Sequence, residues 1–219
     1  MPYLKSVAID NDNILKNISI SFEHKYTIIR AKNGGGKTTL FNTIKNGTYA
    51  GRGNFNLEIN GVLGDLKKYY ALIFIDEDFS YKNCYEIFNP NIYKNIFEDA
   101  LFLKMFNEDL KKFNFFPWKE KNTIDNFQDL FSGSYHHTEE ILMKLVALYS
   151  LRNYLKIEAP LIFDNSISIL DSAAKRLAFE VIDKISKQVI LFENFSTLDF
   201  PDKFSADNLY IKTLELKSI

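Results

Sequence analysis

Apolar residues follow two patterns along the chain: alternation with polar residues, and unbroken runs. Ile18, Ile20 and Phe22 alternate with serines, which predicts a strand with one buried face. Unbroken apolar runs such as residues 161–163 are typical of strands that are buried on both faces. Together the two patterns predict strands at residues 3–8, 14–22, 55–59, 70–75, 161–163 and 188–192.

Helical periodicity separates several of these strands. Ile141, Leu145 and Leu148 recur at helical spacing, and the N-terminal end of this helix is expected near residue 138. A further helix is expected over about 173–185. Alternating strands and helices predict an α/β fold, a mostly parallel sheet flanked by helices, with an antiparallel β portion at the N-terminus.

The stretch 81–135 differs in character from the rest of the chain. Aromatic residues dominate it at rough helical spacing, and Pro117 interrupts the pattern. We expect an inserted helical lobe within a single domain that covers residues 1–219. An aromatic stripe of this kind is more typical of a core than of a cofactor site.

Composition narrows the function classes. The formal net charge of −1 gives no indication of direct nucleic-acid binding. A single cysteine, Cys84, excludes an internal disulfide. The apolar run 69–75 is far shorter than the ~18 residues that a membrane span needs. We therefore expect a cytoplasmic protein, peripheral to a membrane only through a partner.

Three consecutive glycines, residues 34–36, follow the β-forming residues 26–29 and precede a helix-compatible segment that begins at Lys37. Glycine backbone can approach phosphate oxygens closely, and a helix N-terminus adds partial positive charge. Lys37 would reach the terminal phosphates, and the Thr38 hydroxyl would bind Mg²⁺. The residues expected to bind the nucleotide here are Asn33, Gly34, Gly35, Gly36, Lys37, Thr38 and Thr39.

Ala31 stands at the first glycine of the usual G-x-x-x-x-G-K-[ST] pattern. A glycine-rich surface turn is the alternative interpretation, but the order of strand, turn and helix favours a phosphate site. An alanine held at positive φ would strain the backbone by ~1–2 kcal/mol. We expect the loop to tolerate Ala31.

Asp164 directly follows the apolar run 161–163. A carboxylate at the end of a strand beyond a phosphate loop is placed to hold hydrated Mg²⁺. Ligands of open α/β folds bind at this carboxyl edge of the sheet. The alternative is an ordinary aspartate that begins a turn, but the preceding glycine loop favours a metal ligand.

Several segments together resemble the ABC-type ATPases, the superfamily that includes transporter nucleotide-binding domains and SMC/Rad50-like ATPases. Residues 131–135, FSGSY, look like the LSGGQ signature, and residues 161–164, LIFD, look like the Walker B strand of a P-loop NTPase. Residues 168–171, SILD, match the S-x-L-D loop. These segments follow the family's order over about residues 14–194.

The resemblance implies a dimer that forms around ATP and Mg²⁺. Each nucleotide would lie between the glycine loop of one subunit and the signature segment of the other, with Ser132 and Gly133. The backbone N–H groups of that signature segment offer a second site for the anionic phosphates. Asp171 would lie at the dimer seam. The second subunit would be a copy or a homologue, and the cycle would drive a partner protein, membrane-embedded in the case of a transporter.

Catalytic positions depart from the family pattern. Asp164 and Asn165 are the candidate catalytic positions, but these ATPases usually carry Glu where Asn165 stands. An amide cannot take up a proton at physiological pH, and losing a positioned base costs ~10²–10⁴-fold in rate. Glu193 follows the last strand of this pattern, where a switch histidine is expected. The Q-loop glutamine is absent, and one of Asp76, Glu77 and Asp78 occupies its region. These acids either hold Mg²⁺ or the attacking water, or form a solvated turn.

Three roles follow from these features, and all of them include ATP binding. The first two include slow or partner-dependent hydrolysis. The first choice is the ATP-binding subunit of an ABC transporter, since the lobe is compact. A small SMC/Rad50-like ATPase of DNA maintenance or defence is the alternative, because residues 159–164, APLIFD, look like that branch. Asn165 also suits an ATP-dependent assembly switch that does not hydrolyse.

Overall fold

The computed structural model describes residues 4–10, 17–32, 34–46, 54–59, 62–63, 73–75, 96, 98–114, 123–125, 135–156, 160–193 and 209–214. Its strands are β1 (Leu4–Asp10), β2 (Ile18–Ser21), β3 (Tyr26–Arg30), β4 (Asn54–Ile59), β5 (Val62–Leu63), β6 (Ile73–Ile75), β7 (Leu161–Asp164), β8 (Val189–Phe192) and β9 (Leu209–Thr213). Its helices are α1 (Lys37–Asn46), α2 (Ala100–Phe113), α3 (His137–Leu155) and α4 (Ser172–Ile185).

A five-stranded parallel sheet forms the centre of the fold, with the strand order β6-β7-β8-β3-β9. β8 therefore lies between β3, which enters the glycine loop, and β7, which ends in Asp164. Phe192 at the end of β8 pairs with Ile29 on one side and with Asp164 on the other. The prediction of a mostly parallel α/β fold is confirmed.

A second, antiparallel sheet has the strand order β2-β1-β4-β5. In β2, Ile18 and Ile20 are buried while Ser19 and Ser21 are exposed, so the sheet presents one face to the core. This confirms the antiparallel portion that was predicted at the N-terminus.

Alternate side chains of the parallel sheet enter two separate cores. Val189 and Leu191 of β8 pack on the face that is covered by α2, α3 and α4. Ile190 and Phe192 pack on the other face, with the antiparallel sheet and α1. Phe41 of α1 meets Phe192 edge to face, with 5.8 Å between ring centroids. Burial on both faces explains the unbroken apolar run in this strand.

α2 and α3 pack against each other beside the parallel sheet. α2 lies in the aromatic stretch and buries Phe102, Phe106 and Leu110 at helical spacing, so these residues belong to the core as expected. The full extent of the lobe 81–135 stays a prediction, because much of it lies outside the described residues. In the described segments, no helix combines the length and apolar character that a bilayer crossing requires.

Gln188 joins the two sheets at the start of β8. Its side chain is fully buried. The amide nitrogen donates to the carbonyls of Leu4 (2.7 Å) and Phe22 (3.0 Å), and the amide oxygen accepts from the Leu4 N–H (2.9 Å). One side chain thereby satisfies three backbone groups that water does not reach.

We predict that Gln188→Leu lowers the free energy of unfolding by about 3–5 kcal/mol, because it leaves buried backbone groups without partners at about 1–3 kcal/mol each. Urea unfolding followed by circular dichroism measures this change. Glu180→Leu, at an exposed position on α4, is the matched control and is expected to change stability by less than about 0.5 kcal/mol. Equal stability of the two variants would contradict the role of Gln188.

Candidate nucleotide-binding site

The loop between β3 and α1 has a backbone that only glycine accommodates. Gly34 and Gly36 have φ angles of 77° and 87°, the left-handed region that glycine enters without steric penalty. The Gly35 N–H donates to the Lys32 carbonyl at 2.7 Å. A Cβ built on Gly35 would lie 2.6 Å from the Ala31 Cβ and 2.7 Å from the Lys32 oxygen, so the turn excludes any larger residue.

Ala31 fits this loop without strain. Among the described residues, the non-glycine positions with positive φ are Asn114, Lys156 and Asn165, so Ala31 avoids the left-handed region. Its methyl group is buried in the core that α1 shares with the antiparallel sheet. The strain considered for an alanine in this loop therefore does not arise.

α1 begins directly after the glycine loop and carries three of the predicted nucleotide-binding residues. Lys37 is its first residue, and the ammonium group donates to the Ala31 carbonyl at 3.1 Å. Thr38 and Thr39 are exposed at the same helix end, where the backbone N–H groups favour an anion. Asn33 lies outside the described residues.

Asp164 ends β7 at the same edge of the sheet at which β3 enters the glycine loop. α1 lies against β7 and β8, so the helix end with Thr38 and the strand end with Asp164 share this edge. Asp164 is only 5% exposed. A threonine hydroxyl and an aspartate carboxylate are oxygen ligands of the type that Mg²⁺ prefers. The loop, Thr38 and Asp164 therefore fit a magnesium nucleotide.

Asn165 directs its side chain into its own loop. Its Oδ1 accepts a hydrogen bond from the Ser168 hydroxyl at 2.7 Å, and its backbone has a φ of 52°. The Asn165 N–H donates to the Phe192 carbonyl at 3.1 Å, which extends the pairing of β7 with β8 by one residue. The Asn165 side chain, at the position where ABC-type ATPases usually carry glutamate, is thus hydrogen-bonded within its own loop.

Asp171 caps the N-terminus of α4, where its Oδ1 accepts from the Ala174 N–H at 2.8 Å. Asp171 is exposed, and the nearby Ile169 is 49% exposed although it is apolar. The seam role of Asp171 stays a prediction. The remaining predicted positions lie outside the described residues: Ser132, Gly133, Asp76, Glu77 and Asp78.

Glu193 is a site residue that sequence reasoning noted only as the replacement of a histidine. It follows β8 directly, and its side chain has no exposed surface. Its N–H donates to the Ile29 carbonyl at 3.2 Å, and its Oε1 accepts from the Ile167 N–H at 3.1 Å. An acid after an unbroken apolar run is the signal that also identified Asp164.

Burial raises the pKa of Glu193 from 4.5 to about 8. The negative charge of Asp164 raises this pKa as well, whereas the hydrogen bond from the Ile167 N–H and the charge of Lys175 lower it. The carboxyl group of Glu193 therefore releases its proton at a higher pH than an exposed glutamate does.

Known proteins resemble this chain in structure and not in sequence. No model of a protein family matches the chain, and no curated protein matches it. The SMC head bound to the C-winged helix domain of ScpA matches with a TM-score of 0.54 at 12% identity, over 99% of this chain and 98% of that one. The recombination mediator RecF matches with a TM-score of 0.52 at 12% identity, over the same shares of the two chains.

A bacterial Atm1-family ABC exporter with ATP bound matches with a TM-score of 0.51 at 14% identity. The chain has the fold of an ABC-type P-loop ATPase. This confirms the fold that the sequence resemblance implies. The match covers 86% of this chain but only 35% of the exporter chain.

Glu193→Gln should stabilise the nucleotide-free protein increasingly as the pH rises from 5 to 8. The unfolded carboxyl group releases its proton near its ordinary pKa, while the folded one keeps it up to about pH 8. The folded state therefore binds more protons in this window, and wild-type stability falls as the pH rises. Glutamine has no such proton, so the difference is expected to reach about 3 kcal/mol near pH 7.

Thermal melting in EDTA between pH 4.5 and 8 measures the difference between the two proteins. Melting temperatures that stay parallel across this range would contradict a raised pKa of Glu193.

Proposed function

We propose that this protein is an ATPase head that binds ATP with Mg²⁺, self-associates around the nucleotide, and hydrolyses it slowly on its own. The observation that carries this proposal is the glycine loop at the start of α1, with Asp164 at the same edge of the sheet. Gly35 packs against Ala31 too closely for any side chain, and Gly34 and Gly36 have positive φ angles. This backbone supports phosphate binding through N–H groups.

Lys37, Thr38 and Asp164 would hold the magnesium nucleotide. The ammonium group of Lys37, which contacts the Ala31 carbonyl at 3.1 Å, would turn to the terminal phosphates. Thr38 and Asp164 offer the oxygen ligands for Mg²⁺. Bound Mg²⁺ supplies charge neutralisation at the phosphates.

Slow hydrolysis follows from Asn165. Its amide has no proton-accepting capacity at neutral pH, and its oxygen already accepts from the Ser168 hydroxyl at 2.7 Å. The chain thus lacks a base at the position where related ATPases usually have one. A partner that repositions this loop would raise the rate.

Self-association would place Ser132 and Gly133 of one copy over the glycine loop of the other, with Asp171 at the dimer seam. Ile169, two residues before Asp171, is 49% exposed and would be buried in this contact. ATP would then join the two copies, and its hydrolysis would release them.

The likeness to the SMC head bound to the C-winged helix domain of ScpA, and to the recombination mediator RecF, along 99% of the chain supports a role of that type. The second candidate is a transporter ATP-binding subunit, supported by the likeness to the exporter. Copurification with a membrane protein would favour the transporter role. Salt-sensitive binding of DNA by the purified protein would favour the SMC- or RecF-like role. Dimerisation with ATP but no phosphate release would favour an assembly switch.

Lys37→Ala should weaken binding of Mg²⁺ and ATPγS at least a hundredfold, because it removes the cation that faces the terminal phosphates. Isothermal titration calorimetry measures this affinity. Lys184→Ala, at an exposed position on α4, is the matched control and should bind as the unaltered chain does. Retained affinity in Lys37→Ala would place the nucleotide elsewhere, and turnover on the order of 10 s⁻¹ by the isolated chain would contradict slow hydrolysis.

A further inference from the structure

A cavity of about 300 Å³ lies at the end of the parallel sheet opposite the glycine loop. The parallel strands β3 and β8 begin beside it, so we call it the amino-edge cavity. The length of β3 separates it from the glycine loop by roughly 15 Å. Its polar lining residues are Lys25, Arg152, Asp183, Lys184, Ser186 and Lys187.

The lining of the amino-edge cavity is positively charged. It carries four cationic side chains and one carboxylate, although the whole chain has a formal net charge of −1. The Lys25 ammonium contacts the Asp183 carboxylate at 2.6 Å, and the Tyr26 hydroxyl donates to the same oxygen at 2.6 Å. Lys25 thereby offsets the one lining charge that would repel an anion, so the cavity as a whole attracts anions.

Arg152, in the last turn of α3, is the most buried cation of this lining. It is only 4% exposed. A guanidinium presents five N–H donors in a planar fork, so it can bind ligand oxygens in addition to its contacts within the chain. Burial also restricts the side chain in advance, so Arg152 loses little conformational freedom when an anion binds.

Hydrogen bonds fix the turn between α4 and β8 that carries Lys187. The Ser186 N–H donates to the Ile182 carbonyl at 3.2 Å, and the Ser186 hydroxyl donates to the Gln188 carbonyl at 2.8 Å. The Gln188 side chain is in turn bonded to the antiparallel sheet. Lys187 is exposed between these two anchored residues, so a fixed backbone holds this cation at the cavity.

Compensation of the helix ends is the alternative interpretation of these cations. Carbonyl groups at a helix C-terminus carry partial negative charge, which Arg152 and Lys184 offset in the last turns of α3 and α4. Lys25 adds a contact to the Asp183 carbonyl at 3.3 Å. Lys187 lies outside both helices. Helix compensation thus explains neither Lys187 nor the cavity that the cations line.

The charge and size of the amino-edge cavity indicate the class of ligand. A phosphate monoester carries a charge of about −1.5 to −2 near neutral pH and three acceptor oxygens, so cations from several elements can contact it together. The cavity has about ten times the ~30 Å³ that a water molecule occupies in the liquid, so a phosphate group leaves room for a small organic part. A nucleic-acid duplex spreads its charge over an extended surface, which a single cavity does not match.

We propose that the amino-edge cavity binds a small phosphorylated molecule, with Arg152 and Lys187 contacting the phosphate group and Lys25 neutralising Asp183. The site is separate from the glycine loop, and it goes beyond the proposed function because it needs neither ATP nor self-association.

A titration with glycerol phosphate in EDTA, at constant ionic strength, tests this inference. Amide NMR shifts of residues 186–187 report on the amino-edge cavity, and those of residues 34–37 report on the glycine loop, so one titration reads the two sites separately. We expect saturable shifts at residues 186–187, and weaker binding there of inorganic phosphate. Lys37→Ala should leave the affinity at the cavity unchanged.

Arg152→Gln should weaken binding at the cavity by about tenfold or more, because it removes a buried charged donor. Lys187→Gln should weaken it by about threefold or more, and its exposed position keeps the test valid if Arg152→Gln does not fold. Arg176→Gln, at an exposed position on α4 roughly 12 Å along the helix from Lys184, is the matched control. It should bind as the unaltered chain does.

Absence of saturable shifts at residues 186–187, or unchanged affinity in Lys187→Gln, would overturn the inference and leave the cations as compensation of the helix ends. Equal or tighter binding of inorganic phosphate would exclude a phosphorylated molecule as the ligand. Displacement of glycerol phosphate by duplex DNA would assign the cavity to nucleic acid instead. Failure of the glycine loop to bind ATPγS would contradict the proposed function and leave this inference standing.

Discussion

The position of β8 between β3 and β7 is the constraint on which the rest of the structure depends. Parallel pairing on both sides puts the ends of three strands at one edge, with Phe192 level with both Ile29 and Asp164. Polar residues mark the two ends of this strand. Gln188 ties its start to the antiparallel sheet, and Glu193 ties its end to the loop after β7.

Both faces of the parallel sheet are buried, so packing holds the strand ends in this arrangement. α1 covers one face, so the first turn of this helix is held next to the ends of β7 and β8. α3 and α4 cover the other face and pack against each other. The glycine loop consequently connects β3 to α1, whose positions are set by packing. Its backbone N–H groups are therefore already oriented for an anion.

Sequence reasoning identified the features that depend on neighbouring residues. The glycine loop, the strand that ends in Asp164 and the helix that begins near residue 138 are all signalled by local composition and spacing. The parallel sheet follows from the alternation of strands and helices, and the structure confirms it.

The structural features that the sequence does not indicate depend on contacts between distant segments of the chain. Glu193 becomes a buried anchor only because β8 and β7 pair in a register that brings it to Ile167, which lies 26 residues earlier in the chain. Asn165 has a left-handed backbone and its side chain accepts a hydrogen bond from Ser168, a contact that the sequence pattern does not show. The tolerance of Ala31, by contrast, is predicted from the sequence and is confirmed by a backbone that avoids the left-handed region.

A crystal structure with ATPγS and Mg²⁺ would show whether the glycine loop binds a triphosphate in a site that a second copy completes. Phosphates are expected against residues 34–38, with Mg²⁺ beside Thr38 and Asp164 and residues 132–133 of a second copy at the terminal phosphate. An empty loop, or residues 132–133 buried within their own subunit, would rule out this arrangement.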